Sequence, residues 1–200
     1  GAAAGEYASV RVVSFLAGNP DLGPGALSAA AWAEYESTAR AEGAAAAADA
    51  LAQPQTGFYA EAAARAAGAG VVVDVCVVSS LFVDLASIAP LPRQSGGALL
   101  WYASEEEAPL PRDVYRLLSA PAASHATMRL RTPPELAVAR AYGHFFADEQ
   151  HENLYHCISC GPRDAFSFDL EYTSGQGFTK EPDVAPTLQL AFEYTVVVRG

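Results

Sequence analysis

The chain has 200 residues, enough for one large domain or two small ones. Its 23 acidic side chains outnumber 12 Lys and Arg, and the formal net charge of −11 argues against general binding to nucleic acid or anionic lipid, since both attract a positive surface. Apolar residues make up 51 %, but no stretch approaches the ~20 uninterrupted apolar residues that span a bilayer. Three cysteines, an odd number, argue against a disulfide framework and are compatible with a reducing compartment.

The first 122 residues alternate strand-like and helix-like segments. Continuous β-branched runs predict strands that are buried on both faces. An alanine run at Ala44–Ala50 is interpreted as a variable insertion. The alternation predicts an α/β fold with a mainly parallel sheet. The predicted strands are Val10–Leu16, Val71–Val78 and Ala98–Tyr102, and the predicted helices are Phe58–Ala67, Asp84–Ala89 (closed by Pro90) and Leu110–Ser119.

The pattern changes near residue 123, and from there to residue 200 no helix is predicted. Residues Phe166–Tyr172 alternate apolar and polar side chains, which is typical of a half-buried antiparallel strand. This half therefore predicts an antiparallel β-sandwich with a domain boundary between residues 122 and 123. The strand-like stretches are His125–Arg131, Leu136–Phe146, Leu154–Cys160, Ala165–Tyr172 and Thr187–Val198.

A C-x-x-C pair with two histidines nearby is the best candidate for a metal site. The residues are His151, His156, Cys157 and Cys160. His156 and Cys157 are adjacent in a strand-like run, and successive side chains of a strand point to opposite faces. This spacing favours small buried thiols. A metal- or redox-active β domain that uses the Cys157/Cys160 pair stays as the alternative.

Three arginines form a candidate interface. Arg129 and Arg131 share one face of a predicted strand, and Arg140 lies on the next strand. They predict either a local basic patch for the carboxylates of a partner or an ordinary exposed sheet face. No nucleophile elbow and no phosphate-binding loop occurs in the sequence, so no catalytic or cofactor-binding residue is predicted.

A series of short motifs resembles the COPII inner-coat family, in both its GTPase-activating and its cargo-selecting subunit types. Their order and spacing carry the resemblance across nearly the whole chain apart from the alanine run. Because features of both types occur, the subunit type stays open. The matching segments are Arg11–Leu16, Gly18–Pro20, Leu22–Leu27, Phe58–Tyr59, Val73–Val75, Phe82–Ser87, Ser95–Gly97, Met128–Thr132, Gly143–Phe146, Ala165–Asp169 and Phe192–Thr195.

The resemblance implies the C-terminal part of a von Willebrand A-like (Rossmann-like) trunk at residues 1–122, followed by a β-sandwich at residues 123–200. In adhesion proteins such a domain binds ligands through a metal, held in part by an aspartate after the strand that corresponds to Val10–Leu16. Here Leu16-Ala17-Gly18 stands at that place, and Ala17 offers no oxygen to a hard cation. The resemblance therefore implies a coat segment rather than a metal-dependent adhesion module.

The resemblance also implies a non-enzymatic role in endoplasmic reticulum to Golgi transport, at the cytosolic face of the endoplasmic reticulum and of COPII vesicles. The implied partners are the partner inner-coat subunit, a Sar-type small GTPase and cargo tails, with membrane contact only as part of the full coat. No cofactor is expected within these residues. Since the chain begins with Gly1 rather than Met, we expect a fragment. The family's zinc finger with its structural zinc, and its GTPase-activating arginine, would then lie elsewhere.

Overall fold

The computed structural model describes residues 10–104, 106, 109–175, 177–178 and 185–196. The chain divides into two compact units, which meet in sequence between Ala120 and Pro121. No helix in these described ranges combines the length and the apolar character that a bilayer crossing requires.

A three-stranded parallel sheet organises the first unit. Strands β1 (Val10–Leu16) and β3 (Leu99–Tyr102) flank β2 (Val71–Val78), and both pair with it in parallel. The inner residues of β2, 72–77, are all buried, as expected for a central strand that is covered on both faces. The mainly parallel α/β arrangement predicted for this half is confirmed.

Helices connect the strands of this sheet and follow its last strand. The helix α6 (Leu110–Ser119) has the bounds that the sequence predicts, with Pro111 in its first turn. The others are α1 (Ala30–Glu42), α2 (Ala44–Ala52), α3 (Phe58–Gly68), α4 (Leu85–Ile88) and α5 (Pro90–Ser95).

The alanine run predicted as a variable insertion belongs to a helical hairpin. Helix α2 packs along α1 across the single residue Gly43, whose φ of 95° lies in the region that favours glycine. Alanine has the highest helix propensity of all residues, so discounting alanine in the periodicity hid both helices. Trp32 of α1 stacks on Phe82 with ring centroids 5.6 Å apart, which ties the hairpin to the chain before α4.

Pro90 begins a helix, whereas the sequence predicted that it closes one. Helix α4 ends at Ile88, and Asp84 caps its start by accepting hydrogen bonds from the N–H and the hydroxyl of Ser87 at 3.1 and 2.7 Å. Pro90 then occupies the first position of α5. Proline suits that position because the first turn of a helix does not use its N–H.

The apolar core of the first unit lies on one face of the sheet, to which alternate residues of β2 point. At the rim of this core, Gly97 lies so close to the carbonyl of Val73 that a Cβ on Gly97 would overlap it. The hydroxyl of Ser95 accepts a hydrogen bond from the Val73 N–H at 3.0 Å. The buried residues of the core are Leu27, Tyr59, Val73, Val75, Val77, Val83 and Ile88.

The opposite face of the sheet carries a buried charge. The Asp74 carboxylate accepts hydrogen bonds from Arg11, from Nε at 2.5 Å and from Nη2 at 3.0 Å. It also accepts one from the backbone N–H of Ala98 at 2.8 Å, just before β3. Burial of a carboxylate is costly unless its charge and lone pairs are satisfied. Asp74 therefore links both outer strands to the central one.

Two antiparallel sheets make up the second unit, as predicted. The larger sheet has the order β6-β7-β4-β9, and the smaller sheet pairs β5 with β8. The strands are β4 (Ala123–Arg131), β5 (Leu136–Tyr142), β6 (Phe146–Ala147), β7 (Leu154–Cys160), β8 (Ser167–Tyr172) and β9 (Gln189–Val196).

Aromatic side chains join these two sheets. The ring of Tyr155 in β7 lies 4.6 Å from that of Phe145 and 5.4 Å from that of Phe168 in β8. Ring pairs at such distances contribute beyond their buried area. Together with the buried apolar residues of β4 and β7, these contacts form the core of the second unit.

The predicted strands of the second unit begin within two residues of the observed ones, but one of them is divided and another extends beyond the described residues. The stretch Leu136–Phe146 is divided into β5 and β6 at Gly143, where a Cβ would collide with the rings of Phe145 and Phe166. The last predicted strand, Thr187–Val198, corresponds to β9, and its final two residues lie outside the described ranges.

Replacing Asp74 by Asn should destabilise the first unit by about 3 kcal/mol, because it removes the buried negative charge that pairs with Arg11. The measurement is the free energy of unfolding in urea. The matched control is Glu36→Gln, which removes an exposed i,i+4 pair with Arg40 and should cost less than about 0.5 kcal/mol. Equal losses for the two variants would contradict the role given to Asp74.

Candidate functional site

The carboxyl edge of a parallel sheet is where α/β proteins bind ligands. Here an open cavity of about 370 Å³ lies at the ends of all three strands. Ala17 forms part of its wall after β1 and contributes only a methyl group. In the ranges that the structure describes, no group of three or more His, Cys, Asp or Glu side chains could hold a metal ion. The cavity is lined by Ala17, Val78, Ser79, Ser80, Leu81, Ala103, Ser104 and Glu106.

The two candidate cysteines lie on β7 and point to opposite faces of its sheet, as the alternation predicts. Cys157 pairs in register with Ala126 and Cys160 pairs with Ala123, and Cys157 is the more buried of the two. Burial raises the pKa of the Cys157 thiol to about 12 and also raises the pKa of Cys160. Because the thiolate is the metal ligand and the nucleophile, both residues are poorly suited to these roles.

The two candidate histidines bind a carboxylate instead of joining the cysteines. His156 Nε2 lies 2.7 Å from Asp148 Oδ2, and His151 Nδ1 lies 2.9 Å from Asp148 Oδ1. Each contact has hydrogen-bond geometry. The structure therefore gives the metal- or redox-active alternative no support, because both imidazoles are held by Asp148 and the two thiols lie on opposite faces of β7.

Asp148 is the polar residue of this region that sequence reasoning missed. Besides the two imidazoles, its carboxylate accepts hydrogen bonds from the backbone N–H groups of Gln150 and His151, at 2.9 and 2.8 Å. The hydrogen bond with His156, followed by the one with His151, holds the pKa of Asp148 well below its usual range. Asp148 thereby closes the turn between β6 and β7. An aspartate directly before a polar turn is the signal that could have indicated it.

The three candidate interface arginines do not share one surface. Arg129 and Arg131 alternate along β4 with buried residues, so their side chains share the outer face of the larger sheet. Arg131 Nη1 donates to Gln189 Oε1 of β9 at 3.0 Å. Arg129 is half-buried, and its side chain makes no hydrogen bond or ion pair with the described residues. Arg140 lies in the smaller sheet, opposite Asp169 of β8.

Comparison with known proteins finds relatives for this chain. A family model described as the Sec23/Sec24 trunk domain matches residues 3–116. The chain is 39 % identical over 192 residues to protein transport protein SEC23 D of Arabidopsis thaliana, and 29 % identical over 143 residues to human protein transport protein Sec24A. These alignments cover 96 % and 68 % of this chain but 25 % and 12 % of the two relatives. The chain thus spans a quarter or less of their length.

A solved structure shares the fold. The crystal structure of the human COPII-coat protein Sec24c superposes on 93 % of this chain and 24 % of that chain, with a TM-score of 0.75. Sequence identity in this match is 20 %, so the likeness is one of fold.

Replacing Asp148 by Asn should lower the melting temperature at pH 7, because the amide cannot accept all four hydrogen bonds as a carboxylate does.

The effect should depend on pH, because the folded-state pKa of Asp148 lies below its unfolded value of ~3.9. The stabilisation is therefore fully present above about pH 4 and is lost as the pH falls below it. Thermal unfolding at pH 7, 5 and 3 measures this. Glu149→Gln is the neighbouring control, and a difference from wild type that persists unchanged at pH 3 would refute the assignment.

Proposed function

The chain belongs to the Sec23/Sec24 trunk family, and on this premise we propose that it is a structural, non-enzymatic segment of a COPII vesicle coat subunit. It acts in transport from the endoplasmic reticulum to the Golgi, on the cytosolic face of the membrane. The observation that carries the proposal is the family match over residues 3–116, extended by a relative aligned over 96 % of the chain.

The proposed architecture is a von Willebrand A-like trunk at residues 1–122 and a β-sandwich at residues 123–200. The parallel sheet with helices in its connections supports the first part, and the two antiparallel sheets support the second. Ala17 at the carboxyl edge offers no metal ligand. The segment is accordingly proposed to act through its surfaces, without a metal-dependent ligand site.

The proposed mechanism is that of a scaffold. Buried layers such as β2 and the aromatic contacts around Tyr155 hold the strands and their exposed side chains in fixed positions. Exposed residues on those strands then contact the partner inner-coat subunit, a Sar-type GTPase or cargo tails. No residue of this chain is proposed as a GTPase-activating arginine.

Arg129 and Arg131 are the proposed contact for an acidic cargo tail. Two residues apart on a strand, they are separated by about 7 Å, so an extended peptide with carboxylates at positions i and i+2 would match them. Arg129 is half-buried and has no anionic partner among the described residues, which strengthens a charge-assisted hydrogen bond to an added carboxylate. The acidic balance of the chain limits such binding to this local pair.

The coat assignment is tested by liposome recruitment. The whole protein that contains this chain should sediment with liposomes that carry a Sar-type GTPase loaded with a non-hydrolysable GTP analogue, and should stay in solution when the GTPase carries GDP. Equal sedimentation in the two nucleotide states would overturn the assignment.

The arginine contact is tested with a fluorescent peptide that bears two carboxylates at alternate positions. The double change Arg129→Ala and Arg131→Ala should weaken its binding at least about tenfold, since two charge-assisted contacts are lost. Arg140→Ala is the matched control because Arg140 lies in the other sheet. Fluorescence anisotropy gives both affinities. A loss of the same size in the control would show nonspecific charge attraction and contradict the proposed contact.

A further inference from the structure

We propose that the cavity at the carboxyl edge of the parallel sheet binds a cationic side chain, that of an arginine in a protein or peptide ligand. The cavity measures about 370 Å³, within the ~300–1,000 Å³ typical of ligand sites. It lies in the first unit, whereas Arg129 and Arg131 lie in the second. The cavity is proposed to bind a positively charged group, whereas the two arginines are proposed to bind a negatively charged one.

The oxygen-bearing wall of the cavity is held in place by backbone hydrogen bonds. Ser79 is buried, and its N–H donates to the carbonyl of Tyr102 at 2.9 Å, which joins the ends of β2 and β3. The Ser79 hydroxyl accepts from the N–H of Leu81 at 3.2 Å. The segment after β2 is thus fixed by a side-chain turn, and a ligand would meet a formed wall.

Glu106 supplies the charge of the site. Its N–H donates to the hydroxyl of Ser104 at 3.2 Å, so that a second side-chain turn positions it after β3. Glu106 is the only charged residue in the lining, which contains no Lys, Arg or His among the described residues. A carboxylate accompanied by serine hydroxyls presents acceptors that match the donors of a guanidinium group.

The remaining wall suits the stem of such a side chain. Ala17 and Ala103 line the cavity with methyl groups. Leu81 also lines it, and 75 % of the surface of Leu81 is exposed. Arginine buries its methylene stem along apolar surface while its charged head stays with polar groups. An apolar wall beside a carboxylate therefore fits arginine better than it fits an anion or an uncharged polar group.

The net charge of the whole chain also favours a positively charged ligand. The chain has a formal net charge of −11, which attracts a basic ligand and repels an acidic one. Among the lining residues that the structure describes, Glu106 is the one carboxylate and Ala17 supplies none, which is too few oxygen ligands for a bridging metal ion, so the proposed ligand carries the positive charge itself.

The test is an NMR titration of the isotopically labelled 200-residue chain with acetyl-arginine amide. Acetyl-citrulline amide, which has nearly the same shape without the charge, is the matched ligand. Arginine amide should shift the amide signals of Ser79, Leu81 and Glu106 and bind at least about fivefold more tightly than citrulline amide. Glu106→Gln should remove this preference, whereas Glu34→Gln, on the exposed surface of α1, should leave it intact.

Each outcome decides the proposal. Equal binding of the two compounds, shifts confined to residues away from the cavity, or an unchanged preference in Glu106→Gln would overturn it. Because Glu106 is exposed, its replacement should leave the fold intact. The unperturbed spectrum of the variant checks this directly.

Discussion

The first unit depends on one buried ion pair. Asp74 lies in the middle of the central strand, fully buried, and its carboxylate binds the Arg11 guanidinium of β1 and the N–H of Ala98 before β3. The apolar residues of β2 would pack in several registers, but a buried charge has only one arrangement that satisfies it. Burial, followed by the nearby charge of Asp74, also raises the pKa of the Cys76 thiol, which therefore stays neutral.

The second unit also has a carboxylate that accepts several hydrogen bonds, but this carboxylate lies at a turn. Asp148 lies at a turn near the surface and binds two imidazoles and two backbone N–H groups, so it orders a short connection rather than a central strand. The two sheets of this unit are joined by aromatic rings, with Phe145, Tyr155 and Phe168 in mutual contact. The first unit is thus specified by a charge within an apolar sheet, and the second by ring packing between sheets.

Strands made of continuous apolar residues could be predicted from the sequence, whereas the three-dimensional contacts of polar side chains could not. Val71–Val78 is observed as predicted because a continuous run of β-branched residues favours a strand that is buried on both faces. The hairpin of α1 and α2 was missed because alanine carries helix propensity without periodicity. The contact of Asp148 with His156 depends on the pairing of β6 with β7, which no local spacing encodes, whereas its contact with His151, three residues further on, belongs to the turn itself. The position of Arg140 was not predictable either. Its strand follows that of Arg129 along the chain but belongs to the other sheet.

The distribution of charge favours a protein that works by contact. The carboxyl edge of the sheet, where α/β proteins bind ligands, has Ala17 after β1, and among the described residues that line its cavity Glu106 is the acidic one. The outer face of the larger sheet carries Arg129 and Arg131, an exception within an acidic chain. The cysteines of β7 have raised pKa values. The two proposed contact surfaces have opposite charge preferences, and each is held by buried packing, so they can select partners of opposite charge. The proposed role as a coat scaffold requires such selection.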